Sequence, residues 1–137
     1  MKNVTHINEE YTYEGNVSIS QTDLKGVITY VNLMFCKISG YESKQLIGQN
    51  HDIVKHPDMP KVVFSKMWES ISSGQSWNGL TKNLRADGQY YWVDLEILPI
   101  KDDNDKITGF ISVGKPASKK DIKENTELYL KMLEAEA

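Results

Sequence analysis

Apolar and polar residues alternate from Val17 onward (V-S-I-S-Q-T), the two-residue period of a strand with one buried face. Asp23 to Gly26 supplies turn chemistry, and V-I-T-Y-V at 27–31 predicts a second strand that closes a hairpin. Asn32 suits the cap of a short helix through Lys37 that Gly40 ends, and Ser43 to Leu46 fits one more helical turn before Gly48-Gln49. Beyond the breaks at Pro57 and Pro60 the period lengthens. Val63, Phe64, Met67, Trp68 and Ile71 recur at helical spacing, Pro60 is tolerated in the first turn, and Ser72-Ser73-Gly74 forms the stop. Trp77 to Arg85, Tyr90 to Ile100 and Ile107 to Val113 read as three further strands, joined by A-D-G-Q and a turn over 101–105. Past Pro116, Ser118 with Asp121 three residues later resembles a capping box and opens a helix to the C-terminus.

This order predicts an α+β domain: a five-stranded antiparallel sheet with helices across one face. Such a layout encloses a pocket between sheet and helices, so a buried ligand is physically reasonable. The first sixteen residues set Glu9, Glu10 and Glu14 among weakly patterned Tyr11 and Tyr13, which reads as a flexible or docking N-terminal cap. The predicted division is therefore 1–16 cap, 17–115 central domain and 116–137 C-terminal helix. That helix carries Ile122, Leu128, Tyr129, Met132 and Leu133, which either dock on the sheet or pair with a second chain as a homodimer.

A length of 137 residues matches one domain with its own core. The formal net charge of -3, with lysines scattered among acids, leaves no basic stripe for phosphates, so nucleic acid is not an expected partner. No apolar run approaches the ~18 residues of a membrane span, and the polar start does not read as a signal peptide, so a cytoplasmic location without a transmembrane segment is expected. Cys36, the single cysteine, rules out an intrachain disulfide.

The sequence offers no Ser/His/Asp or Cys/His arrangement, paired-carboxylate motif or G-x-G-x-x-G loop, and no enzyme is expected. His51 and His56 are five residues apart without a third ligand nearby, so no metal site is expected. Asn83 lies where strand alternation points one amide inward, and an amide can donate and accept at once. It suits either the edge of a heteroaromatic ligand or an ordinary bond to a neighbouring strand. Trp77, Trp68 and Trp92 are open in the same way between ring stacking and core packing. Lys55, His56 and Asp58 sit in a proline-bounded segment suited to an anionic ligand portion, or to a turn in which Asp58 caps the next helix.

The stretches D-L-K-G-V-I-T-Y-V-N, S-G-Y, L-I-G-Q-N-H-D-I-V-K-H-P-D-M-P and W-N-G-L-T-K-N-L-R-A-D-G-Q-Y-Y-W-V resemble a PAS domain over Ser18 to Val113. H-P-D-M-P followed by W-x-G-x-x-K-N is the sharper part, and is similar to the FAD-binding sensor domain of bacterial aerotaxis receptors. The resemblance implies the PAS fold, non-covalent FAD, and a redox or energy signal passed to a chemotaxis-type transducer or other signalling protein. Carried over by position, it implies cofactor contacts from His56, Asp58, Trp68, Trp77 and Asn83, with Lys55, His51 and Asn32 completing the set. The family carries arginine where this chain has Lys55, which keeps the charge but loses the bidentate fork and leaves FMN as the alternative cofactor. N-H-D-I-V-K-H holds no cysteine, so blue-light adduct chemistry is not expected. The rival readings are a cofactor-free PAS interaction module and a haem-binding gas sensor.

Overall fold

The computed structural model describes residues 4–137; residues 1–3 of the expected N-terminal cap lie outside them. Five strands, β1 (Ser18–Asp23), β2 (Ile28–Val31), β3 (Trp77–Leu84), β4 (Tyr90–Lys101) and β5 (Ile107–Pro116), form one antiparallel sheet in the order β2-β1-β5-β4-β3. Between β2 and β3 the chain folds into α1 (Leu33–Ser39), α2 (Ser43–Leu46), a 3-10 turn (His51–Val54) and α3 (Lys61–Ser72), and α4 (Lys119–Glu136) follows β5.

Local chemistry sets these boundaries. The Asn32 side chain accepts from the Phe35 N–H at the start of α1, and Gly40 ends that helix at φ 78°, where a Cβ would be strained. Glu42 and Gln45 form a reciprocal capping box on α2, and the Ser118 hydroxyl accepts from the Asp121 N–H at the start of α4. The 3-10 turn has no counterpart in the sequence reading. It forms because the Asn50 side chain accepts from the Asp52 N–H, winding the segment before Pro57. The fifth strand also runs past Val113 to Pro116, held by pairing of Lys115 and Pro116 with Asp94 and Val93.

The helices between β2 and β3 cover one face of the sheet and enclose two core clusters against it. Ile28, Val31, Phe35, Leu46, Ile53 and Val54 pack under α1, and Met67, Ile71, Ile97 and Phe110 pack under α3. A third cluster, Met59, Val63, Leu80, Trp92 and Tyr129, closes the β3 edge where α3 and α4 meet. There the Tyr129 hydroxyl donates to the Leu80 carbonyl at 2.6 Å and its ring stacks on Trp92, which fixes α4 on the domain.

The N-terminal segment is docked. Glu9 and Tyr11 exchange backbone hydrogen bonds with Tyr90, and Ile7 donates to the Gly88 carbonyl. Pairing of β4 with β5 begins only at Val93, so this segment takes the backbone position beside the first residues of β4 that β5 leaves open. Tyr11 covers the Arg85 guanidinium at 3.8 Å, while Arg85 donates to the Lys37 and Ile38 carbonyls at the end of α1.

Candidate functional site

Strand register dictates the floor of a cavity of about 350 Å³ between the sheet and α1, the 3-10 turn and α3. Paired residues on neighbouring strands share a face, so Ser20, Ser112 and Ile97 form one row and Ser18, Gly114 and Leu95 the next. Val93 with Thr81 and Tyr91 with Asn83 extend this face to the far edge. The centre of the floor is apolar, supplied by Val93, Leu95 and Ile97 of β4, and polar groups flank it on both sides. Ser18, Ser20, Ser112 and His51 lie on one flank, and Thr81 and Asn83 on the other. Phe64, Met67, Trp68 and Ile71 of α3 form the opposite wall.

The β1 pattern carries a correction to its apparent phase. The alternation suggests Val17 and Ile19 as the inward residues, yet Ser18 and Ser20 are buried at 5% and 1% exposure and Val17 is 40% exposed. The serines point inward because this face borders a polar pocket flank rather than a packed core. Ser20 Oγ lies 3.0 Å from His51 Nε2, whose ring also stands edge-on to Phe35. Burial lowers the His51 pKa from its ordinary value, opposed by a backbone hydrogen bond and the nearby Asp52 carboxylate.

On the other flank Asn83 Nδ2 donates to the Tyr91 hydroxyl at 3.4 Å. Tyr91 is fully buried, and burial pushes its hydroxyl pKa well above the usual range, partly offset by the bond from Asn83. Thr81 Oγ1, two residues before Asn83 and 2% exposed, is the buried side-chain polar atom among the described residues that has no hydrogen-bond partner. A hydroxyl left unsatisfied in a protein interior costs about 1–3 kcal/mol, so its position in the cavity lining fits a ligand that offers it a partner.

Lys55 and Lys61 also line the cavity, as do Asp52 and Ser65. Residue 55 pairs with Asn83 as an isolated bridge, which ties the segment before α3 to the β3 edge, and Lys55 Nζ lies 4.5 Å from the centre of the Phe64 ring. A flat ring with polar edges therefore matches the apolar floor and the polar flanks, and the two lysines offer positive charge to an anionic portion.

The structure brings Asn83, Lys55, Trp68 and His51 together in the cavity lining. The other residues named from the sequence stand elsewhere. Trp77 belongs to the inward-facing row, but its ring folds back over Gly79, where an added Cβ would lie 2.5 Å from it, and packs against the cluster of Met67, Ile71, Ile97 and Phe110. His56 is 3% exposed behind the segment, its Nδ1 accepting from the Asp58 N–H, and Asp58 forms an ion pair with Lys82 at 3.1 Å on the outer side. The Asn32 amide is committed to the backbone of Val17, Ile19 and Phe35. Thr81, Tyr91, Ser20 and Ser112 were not among the sequence candidates. Alternation from Asn83 places Thr81 on the same face, whereas the serines carry no signal until β1 is paired with β5.

Among the described residues no helix is long and apolar enough to cross a membrane, and no group of three or more His, Cys, Asp or Glu could hold a metal.

The family model described as the PAS fold matches residues 28–114, which includes every helix of the cavity wall and four of the strands in whole or in large part. The chain is 40% identical over 111 residues to the aerotaxis receptor of Escherichia coli K12, covering 81% of this chain and 22% of that protein. It is 30% identical over 105 residues to the nitrogen fixation regulatory protein of Klebsiella pneumoniae, covering 77% and 21%. The solved PAS domain of a Colwellia psychrerythraea protein aligns with a TM-score of 0.69 at 25% identity, over 75% of this chain and 87% of that one. The chain thus spans about a fifth of the length of the curated relatives. Matched by sequence model over residues 28–114 and by fold, the chain belongs to the PAS family.

Proposed function

We propose that this chain is a flavin-binding sensor domain that holds FAD in the cavity and reports redox or energy state to a chemotaxis-type transducer, in the manner of aerotaxis signalling in the cytoplasm. The observation that carries this reading is the pairing of an unsatisfied buried hydroxyl on Thr81 with an inward amide on Asn83, along one edge of an apolar floor. The similarity to an aerotaxis receptor supports the same ligand class. The flavin ring occupies the cavity of about 350 Å³, and the phosphates of a dinucleotide meet positive charge at Lys55 and Lys61 of its lining. The function is sensing, not turnover of a substrate.

A flavin supplies reversible uptake of electrons and protons at its ring. The protein side of the response begins at Asn83, whose amide can present either a donor or an acceptor to the cavity. Its partner Tyr91 can accept from Nδ2 or donate to Oδ1, so a rotated Asn83 amide keeps the bond while the Tyr91 hydroxyl hydrogen changes direction. The Tyr91 ring stands edge-on to Tyr13 of the N-terminal segment at 6.3 Å, so this rearrangement ends where the segment docks.

Purified protein tests the reading directly. It should be yellow, with flavin absorption that bleaches on dithionite and returns in air, and the extracted pigment should have the mass of FAD. A colourless chain that cannot be reconstituted favours the interaction module, and a Soret band would establish haem instead.

A further inference from the structure

Glu136, in the last turn of α4, accepts hydrogen bonds from the first two N–H groups of α3: Lys61 to Oε1 and Val62 to Oε2, each at 3.1 Å. α3 has no cap of its own, since Pro60 precedes it and its first turn contains no acid. Its unpaired amides and the positive end of its dipole are met instead by a carboxylate more than seventy residues away.

Two turns earlier Tyr129 anchors α4 to the Leu80 carbonyl of β3. The final turns of α4 therefore run from a fixed point on the sheet to the N-terminus of the helix that walls the cavity. From that helix Lys61, Phe64, Met67 and Trp68 all line the cavity. Because α3 forms the wall opposite the sheet, its movement away from the sheet widens the cavity, and such a move pulls on Glu136.

We propose that α4 is a strap: Glu136 latches α3 closed over the occupied cavity, and ligand release requires the latch to open. The proposal rests on the flavin reading for its ligand but not for the latch itself. Linkage makes the coupling reciprocal, so a partner that pulls the end of α4 away would weaken ligand binding, and a bound ligand would hold the end of α4 in place.

The flavin-loaded chain tests it with Glu136→Ala and Glu136→Gln, both at an exposed helix end. Amide exchange at Lys61 and Val62 reads the latch, and recovery of free-flavin fluorescence after dilution reads release. In Glu136→Ala both amides should exchange faster and release should accelerate roughly three- to tenfold, with Glu136→Gln, which retains one carbonyl acceptor, in between. Unchanged exchange overturns the latch. Faster exchange with unchanged release overturns the strap. If the wild-type chain carries no flavin, the flavin reading fails separately, and uptake of an apolar fluorescent dye replaces the release measurement. Dye uptake must then accelerate in Glu136→Ala, and equal rates overturn the proposal.

Discussion

Asn83 and Tyr91 are cross-strand partners in register, and the 3.4 Å bond from the Asn83 amide to the Tyr91 hydroxyl is a polar link within the cavity lining, on the side where the N-terminal segment docks. Beyond it Tyr91 meets Tyr13, and Tyr13 stacks on Tyr11, which covers Arg85. Burial of Tyr13, with the Asp94 carboxylate adding to it, pushes its hydroxyl pKa up to about 12, so it stays neutral at physiological pH. The route outward from Asn83 thus begins with a hydrogen bond that can change direction without a change in net charge, continues through tyrosine ring contacts, and meets a charge at Arg85.

Tyr91→Phe removes one hydroxyl and keeps the ring. The fold should survive with a loss of about 0.5–1.5 kcal/mol, the net worth of an ordinary hydrogen bond. Flavin should remain bound. What should disappear is the difference between oxidised and reduced protein in amide exchange at residues 9–13, and an undiminished difference in this variant would remove Tyr91 from the signal route.

Thr81→Val separates the cost of an unsatisfied hydroxyl from its use. In flavin-free protein the valine should be neutral or stabilising by up to about 1–2 kcal/mol, because it replaces an unpaired buried polar atom with an apolar one of the same shape. In the loaded protein, flavin affinity should fall about five- to tenfold, the value of one hydrogen bond to the ring edge. Denaturant melts of the empty chain and equilibrium titration with flavin measure the two effects, and equal affinity would mean that Thr81 does not touch the ligand.

The strands and principal helices were legible in the sequence because local rules set them: two-residue alternation, Asn32 and Ser118 as caps, and Gly40 as a stop. The pocket was legible as a consequence of the layers. Its residues were legible only in part, because their place depends on features the one-dimensional pattern does not carry. The Trp77 indole has the correct parity for the cavity and still misses it, since a glycine at position 79 lets the ring lie flat along the strand. His56 and Asp58 follow Lys55 by one and three residues, yet only Lys55, bridged through its backbone to Asn83, reaches the cavity lining. Glu136 carried no sequence signal as a cap for α3, because the distance along the chain hides it.

Gly114 tests how tightly the floor is built. It sits opposite Leu95 and Ser18 in register, and a Cβ there would lie 2.6 Å from Val93 Cγ2 and 2.7 Å from Ser18 Oγ, on neighbours that are themselves buried. Gly→Ala in a strand usually gains about 0.5–1 kcal/mol through the unfolded chain, whereas overpacking a filled interior costs about 1–3 kcal/mol. The steric term wins. Gly114→Ala should lower the denaturant midpoint, and a rise would mean that β1 and β4 yield at little cost.

His51 gives the domain a pH dependence whose sign follows from its surroundings. Burial lowers its folded pKa below the unfolded value of about 6.5, so between those two values the unfolded chain binds more protons than the folded one. Stability must therefore rise with pH across that window. It is full above the unfolded pKa, and it falls as pH drops from about 6.5 toward the folded value, because a proton on His51 must be accommodated between Ser20 and Phe35. The Asp52 carboxylate narrows the window but does not reverse it, since burial is the larger cause. His51→Asn removes the titration while leaving a polar side chain for Ser20, so the stability curve between pH 7.5 and 5.5, about one unit either side of the ordinary histidine value, should flatten relative to wild type. Urea melts at several pH values in that interval decide the matter. A variant with the same slope as wild type would show that the acid sensitivity arises from other groups.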